Sequence, residues 1–230
     1  MIKRPENDNP PKRHQLAPAD QTRAALIHAA LRLFGRQGYD GASTREIAAL
    51  AKANIGSIAY HFGGKAGLRA ACASHIVETI GAVAGAALAE APTGSQSAAS
   101  AHGRLNAVIE AMVGYIVARP QAGEIVQFVL RELAQPSEAL DIIYEGVFAP
   151  VHEKLCAIWG EASGEDPESD STKITIFTLI GQVVYFRIAN TAVMRRMGWD
   201  SIGPAQSGAL VSVVQRHLGA ILAARKEPRP

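Results

Sequence analysis

The stretch Ser43–Lys65, STREIAALAKANIGSIAYHFGGK, decides how this chain folds. Ser43 followed three residues later by Glu46 is a capping box: the hydroxyl satisfies an orphan amide of the first turn and the carboxylate reaches back to the cap. A helix therefore starts at Thr44, with Ile47, Ala48 and Ala51 at helical spacing and small enough for a second helix to cross closely. Lys52 and Ala53 leave that periodic face. Asn54 is a good N-cap for a second short helix, Ile55 to His61, whose inward positions are Ile58 and Phe62. Its other face carries Ser57, Tyr60 and His61, which can hydrogen-bond to base edges or phosphates, and Gly56 leaves the backbone room to approach a groove. Lys65 opens the next helix, where its charge and the unsatisfied amides can grip a phosphate together. Two short helices around a tight turn, ending on an anion-seeking start, read as a DNA-binding helix-turn-helix.

From about Thr22 to His75 the chain resembles the N-terminal domain of the TetR family of bacterial transcriptional repressors. An amphipathic helix ends in F-x-x-x-G-Y, here Phe34 to Tyr39. STREIA, Ser43 to Ala48, answers the family's T-x-x-x-I-A, and Gly56 to Leu68, GSIAYHFGGKAGL, answers G-[ST]-[IL]-x-Y-H-F-x-x-K-x-x-L. Ala59 stands where the family often has Tyr, and Lys52-Ala53 stand where it often has Gly-Val. RELAQPS, from Arg131, and RRMGWDSIGP, from Arg195, further resemble a TetR subgroup whose own C-terminal domain is associated with antibiotic sensitivity and efflux genes. The resemblance implies a homodimeric regulator, most often a repressor, that binds a palindromic double-stranded DNA operator and is released by a small-molecule effector.

Composition and charge agree with that direction. The 230 residues suffice for one small and one medium domain, and Ala, Leu and Ile dominate with 6% aromatics and no alternating strand pattern. An all-α fold is expected. The net charge of +2 is unevenly spread: residues 1–65 hold ten Lys or Arg against five Asp or Glu, and residues 66–230 hold thirteen against sixteen. The basic end is the end with the motif, and Lys3, Arg4, Lys12 and Arg13 form an arm suited to a minor groove or flanking phosphates. The arm has no apolar run and does not read as a signal peptide. The expected division is a disordered basic arm at 1–19, a helix-turn-helix domain at 20–65, a helical ligand-binding and dimerisation domain at 66–225 and a tail at 226–230.

A first helix begins after Pro18 with Asp20 as candidate cap and ends before Gly38, which suits a positive-φ C-terminal position. A long fourth helix runs from Lys65 to about Ala89. After a low-complexity loop at Pro92 to Ser100 come apolar periodic segments at Arg104–Ala118, Gly123–Ala134, Ala139–Trp159, Thr172–Arg196 and Pro204–Ala224. Four helices before the loop and five after make nine. Ile174–Met194 approaches the length of a membrane span, but Arg187 near its middle costs roughly 2.5–3.5 kcal/mol on insertion scales, and no other segment looks like a span. No membrane partner is expected. That helix, apolar all round, instead needs cover on both sides, which a four-helix bundle with Pro204–Ala224 across a two-fold axis would supply, Gly181 permitting close approach.

Within the helix-turn-helix, Asn54, Gly56, Ser57, Tyr60 and His61 are the candidates for reading bases, and Ser43, Thr44, Arg45 and Lys65 for holding the backbone. In the larger domain, polar or aromatic groups embedded in apolar helices mark a candidate effector pocket: Tyr115, Phe128, Arg131, His152, Phe177, Tyr185 and Arg187. Arg131 and Arg187 either meet an anionic ligand or pair with Glu132 or Glu145. The effector is expected to be small and largely apolar. No catalytic group, metal site or cofactor is expected, since the seven histidines show no HxxxH or HExxH spacing. Two other classes stay open: a thiol sensor using Cys72 and Cys156, which have no CxxC partner, and a helical enzyme. A regulator of this kind acts in the cytoplasm, at the nucleoid when bound to DNA.

Overall fold

A computed structural model describes residues 18–89 and 98–226. The basic arm with Lys3, Arg4, Lys12 and Arg13, most of the low-complexity loop and the C-terminal tail lie outside the described residues. Those described form ten continuous helices and no strand. The first four are α1 (Pro18–Gly41), α2 (Thr44–Leu50), α3 (Gly56–Phe62) and α4 (Lys65–Ala89). Helix α5 (Ala98–Met112) continues through a π-turn at Val113–Val117, and α6 (Ala122–Ala134) follows. Helix α7 (Glu138–Ile143) runs through a second π-turn, Tyr144–Phe148, into α8 (Ala149–Ser163); α9 (Asp170–Ile188), α10 (Asn190–Met197) and α11 (Pro204–Lys226) complete the chain.

The expected nine becomes ten because Thr172–Arg196 is not one helix. It breaks at Ala189, where α10 turns 78° away from α9. Ala189 has φ −93° and ψ 23°, outside the helical well, and its amide still bonds Tyr185, so α9 ends normally before the chain swings. Helix α5 starts at Ala98, inside the stretch expected to be loop. Asp20 lies within the first turn of α1 rather than ahead of it. Gly38 has φ 79° and ψ 170°, so the positive φ expected there is present, although ψ puts it in the mirror of the extended region.

Local chemistry explains the helix-turn-helix. Ser43 Oγ accepts from the Glu46 amide at 3.1 Å while the Ser43 amide donates to Glu46 Oε2 at 3.0 Å, completing the capping box. These bonds hold the Glu46 carboxyl below the usual range. Helix α2 ends in a paired closure: the Ala53 amide bonds the Ala48 carbonyl and the Lys52 amide bonds Ala49, with Lys52 at φ 53°. A side chain with a Cβ thus occupies the left-handed position. Asn54 Oδ1 accepts from the Gly56 amide at 2.9 Å, capping α3 one residue later than the sequence suggests. Gly63 and Gly64, at φ 71° and 133°, turn the chain into α4. There α4 passes so close to α3 that a Cβ on Gly67 would overlap the Phe62 carbonyl oxygen.

Two apolar cores form. One, around Leu26, Phe34, Ile47 and Ile58, continues along α4 through Leu68, Cys72 and Ile76 and takes in Ile125 and Phe128 of α6 with Ala139 and Ile143 of α7. The other gathers α5, α8, α9 and α11 around Trp159, Leu179, Val183 and Leu218. Helix α6 thus packs into the core of the helix-turn-helix end. It crosses α1 closely enough that a Cβ on Gly35 would lie 3.1 Å from Gln127 Cβ.

Ile174–Met194 is not the only span-like segment. Lys65–Leu88 and Pro204–Arg225 are also long and apolar enough to cross a membrane by length and composition, with 22% of each apolar window buried within one copy. Most of that apolar surface lacks cover in a single chain.

Two stability changes are expected. Lys52→Gly removes about 1–2 kcal/mol of left-handed strain and returns part of it as unfolded-chain entropy, so thermal unfolding should move upward by about 0.5–1 kcal/mol. Gly67→Ala forces a Cβ against backbone and should destabilise by about 1–3 kcal/mol in the same assay.

Candidate DNA-binding and effector sites

Helix α3 places its side chains as an interface requires. Ile58 is 2% exposed and anchors the helix, while Tyr60 is 82% exposed. Asn54, Gly56 and Arg45 are exposed, Ser57 and Thr44 half-buried. His61 is half-buried, with its ring edge-on to Tyr60 at 4.9 Å. Asn54 and Ser43 also carry structural duty, since their side-chain oxygens cap α3 and α2. Lys65 Nζ lies over the Tyr39 ring at 4.4 Å, with Arg69 on the same ring at 4.6 Å, so α4 starts in a basic pair stacked on α1.

The RELAQPS segment ties α6 to α1, α4 and α7. Glu132 is 2% exposed and receives two 2.8 Å bonds from Arg69 of α4, while Ser137 Oγ donates to its Oε2 at 2.6 Å. Ser137 Oγ also accepts from the Ala139 amide, capping α7. Arg131 donates to the carbonyls of Gly35 and Arg36 near the end of α1, at 3.4 and 3.2 Å. It meets neither Glu132 nor the cavity described below; it caps a helix of the DNA-binding end. The motif was visible in sequence, but the partners on α1 and α4 lie more than sixty residues away, and no local pattern signals them.

On the opposite face of α6 an apolar cavity of about 370 Å³ opens between α4, α5, α6, α8 and α9. Val126, Val129 and Leu130 of α6 line it, with Ile80 and Val83 of α4 and Ile180 and Val184 of α9. Both π-turns border it, through Tyr115 and Ile116 of the first and Val147 and Phe148 of the second. Such turns widen a helix by one residue and often mark functional places; nothing in the sequence announced them.

Of the residues expected at an effector pocket, Tyr115, His152 and Phe177 line this cavity. The others sit elsewhere. Phe128 is fully buried in the core under α1, 6.3 Å from Phe34, and Tyr185 is 59% exposed on α9. Arg187 donates to the Pro120 carbonyl at 2.8 Å and fills the space above Gly123; burial lowers its pKa. His152 stacks on Phe177 at 4.0 Å.

Burial pushes both thiols above their ordinary range, Cys72 most strongly. Each sits in an apolar core where the thiolate is disfavoured, which argues against thiol sensing. Among the described residues no three His, Cys, Asp or Glu side chains converge as a metal site would need.

Comparisons with known proteins agree on one family. Residues 26–72 match the model of bacterial regulatory proteins of the tetR family, and residues 101–225 match the C-terminal domain of the HTH-type transcriptional dual regulator CecR. CecR of Shigella flexneri is 29% identical over 211 residues, covering 88% of this chain and 92% of that one. A transcriptional regulator from Pseudomonas aeruginosa PAO1 of known crystal structure has the same fold, with TM-score 0.69, 21% identity and coverage of 93% and 97%. So does AibR, crystallised with isovaleryl coenzyme A and operator DNA, with TM-score 0.61, 16% identity and coverage of 85% and 97%. A capped helix-turn-helix on a second helical domain, with both family models placed on those two parts, means that the chain belongs to the TetR family of DNA-binding transcriptional regulators and carries the CecR type of C-terminal domain.

Proposed function

We propose that this protein is a homodimeric one-component repressor, acting in the cytoplasm, that reads a palindromic operator through α3 and leaves it when a small, largely apolar compound enters the cavity. The observation that carries the reading is the division of α6. One face holds α1 and α4 through Arg131, Glu132 and Phe128, and the other lines the cavity. A compound that favours one setting of α6 biases the position of α3 by its differential affinity for the two settings. AibR, of the same fold, was crystallised with both a small molecule and operator DNA, which supports a two-site reading.

In the proposed interface, Tyr60, His61 and Ser57 contact base edges, with Asn54 and Gly56 at the entry of the helix. Ser43, Thr44, Arg45 and Lys65 hold phosphates, Lys65 turning from Tyr39 to do so. The domain division follows: helix-turn-helix at 20–65, effector and dimer functions at 66–225. Two α3 helices about 34–36 Å apart, or a near multiple, read both halves of a palindrome. The dimer seam we propose runs along α9 and α11. Ile174 and Tyr185 are 61% and 59% exposed, and a Cβ on Gly181 between them would meet open space. Apolar surface of this extent needs either lipid or protein as cover, and a DNA-reading chain finds the second in its own copy.

Selection of genomic fragments by the purified protein tests the reading. A short enriched palindrome supports it, and only salt-labile, sequence-independent retention overturns it. On the selected site, Tyr60→Ala should lose about 1–3 kcal/mol and relax base preference, whereas Lys65→Ala should weaken all sequences alike and lower the salt slope by about one. Gly181→Arg should yield monomers in sedimentation and abolish tight binding to the palindrome.

A further inference from the structure

We infer that the cavity selects a compact, flat and uncharged compound with at most one hydrogen-bonding group, read by Tyr115, and excludes the ionised form of the same skeleton. The inference rests on the effector reading above and narrows it to a chemical class. Among the described residues no Asp, Glu, Lys or Arg lines the cavity. Arg119 lies over the Tyr115 ring at 5.6 Å without itself lining the cavity, and four further charges on the surrounding helices are engaged elsewhere. Arg131 caps α1, Glu132 takes Arg69, Arg187 holds the Pro120 carbonyl and Lys173 pairs with Glu168 at 2.9 Å. An ion placed there would lose its hydration and gain no partner, which costs several kcal/mol.

Polar lining is equally sparse, consisting of His152 and Tyr115. His152 Nε2 lies 3.2 Å from the Lys173 carbonyl, an acceptor only, so that nitrogen carries a proton and spends it there. Its Nδ1 lies 3.7 Å from Cys156 Sγ, whose thiol burial keeps protonated, and accepts from it. Both ring nitrogens are thus taken, and His152 offers the cavity its stacked ring. With Phe177 it makes a flat aromatic wall, the surface against which a planar molecule packs best. The buried side-chain atoms left without a partner are His102 Nε2, Arg104 Nε, Asn106 Oδ1 and Ser207 Oγ, and none belongs to the wall. A wall shaped for a polar ligand would hold such a waiting group. Among the described lining residues Tyr115 carries the one hydroxyl, which we take as the polar handle.

Three probes of one shape test this on the full-length protein by fluorescence titration at about pH 7: naphthalene, 2-naphthol and 2-naphthoate. The expected order is 2-naphthol tightest, with 2-naphthoate weaker by about 100-fold or more. Tyr115→Phe should weaken 2-naphthol about 5-fold and leave naphthalene unchanged. Ala111 of α5 also lines the cavity, and Ala111→Phe, which fills it, should abolish both while DNA binding persists. Equal or tighter binding of 2-naphthoate, absence of 2-naphthol binding, or binding indifferent to Ala111→Phe overturns the inference. Binding of 2-naphthol in the expected order without any change in DNA affinity leaves this selectivity standing and sinks the effector reading instead.

Discussion

A buried carboxylate ties α6 to α4 and to the cap of α7. Glu132 has almost no contact with solvent, and its charge is held by a two-pronged bond from Arg69 and a short bond from Ser137. Taking two charges out of water costs several kcal/mol for each ion, and their attraction offsets that only when geometry is good and every lone pair is used. Here the fork of Arg69 matches both carboxylate oxygens. Breaking such a pair from one side costs about 3–5 kcal/mol because it strands the other charge. The pair thus fixes one register between α6 and α4, where a purely apolar contact would tolerate sliding.

What depends on that register is the aim of the recognition helix. Phe128 and Glu132 face α1, α4 and α7, Val126, Leu130 and Leu133 face the cavity, and Ile125 and Val129 take part in both. The helix is two-sided, with a specific polar grip on one side and a deformable apolar wall on the other. Helix α4 is 25 residues long, about 37 Å at 1.5 Å per residue, and α3 is locked to its start by the Gly63-Gly64 turn and the close pass at Gly67. A tilt of about 5° in such a rod moves its far end by about 3 Å, enough to put a two-turn recognition helix out of register with a groove. The proposed response to an effector needs no larger motion than this.

The sequence made the local features legible and hid the distant ones. The capping box at Ser43, the start of α4 and the buried Ile47 and Ile58 follow from neighbours within a few residues and stand in the structure as read, whereas α3 starts one residue later than Asn54 suggests. The break at Ala189 was not legible, because no Pro or Gly marks it and α10 continues the apolar pattern in another direction. The π-turns carry no signature either. Arg131 and Arg187 looked like ligand groups because a lone cation in an apolar helix has two uses, and which one applies depends on carbonyls supplied by other helices. Phe128 illustrates the same limit, since an aromatic in an amphipathic helix belongs to whichever face meets the larger core. Membrane-length apolarity in α4 and α11 has no unbroken run of large apolar residues to mark it, because Gly and Ala are scattered through both helices.

The proposed effector response requires the Glu132–Arg69 grip to carry the state of the cavity to the DNA-binding end. The direct measurement is the affinity of the selected operator, with and without saturating 2-naphthol, for the native protein and for the Arg69→Met/Glu132→Met pair, which preserves bulk while removing both charges. The account predicts that both proteins fold and bind 2-naphthol, that 2-naphthol lowers operator affinity in the native protein, and that this response shrinks in the paired variant. An undiminished response in the paired variant would contradict it.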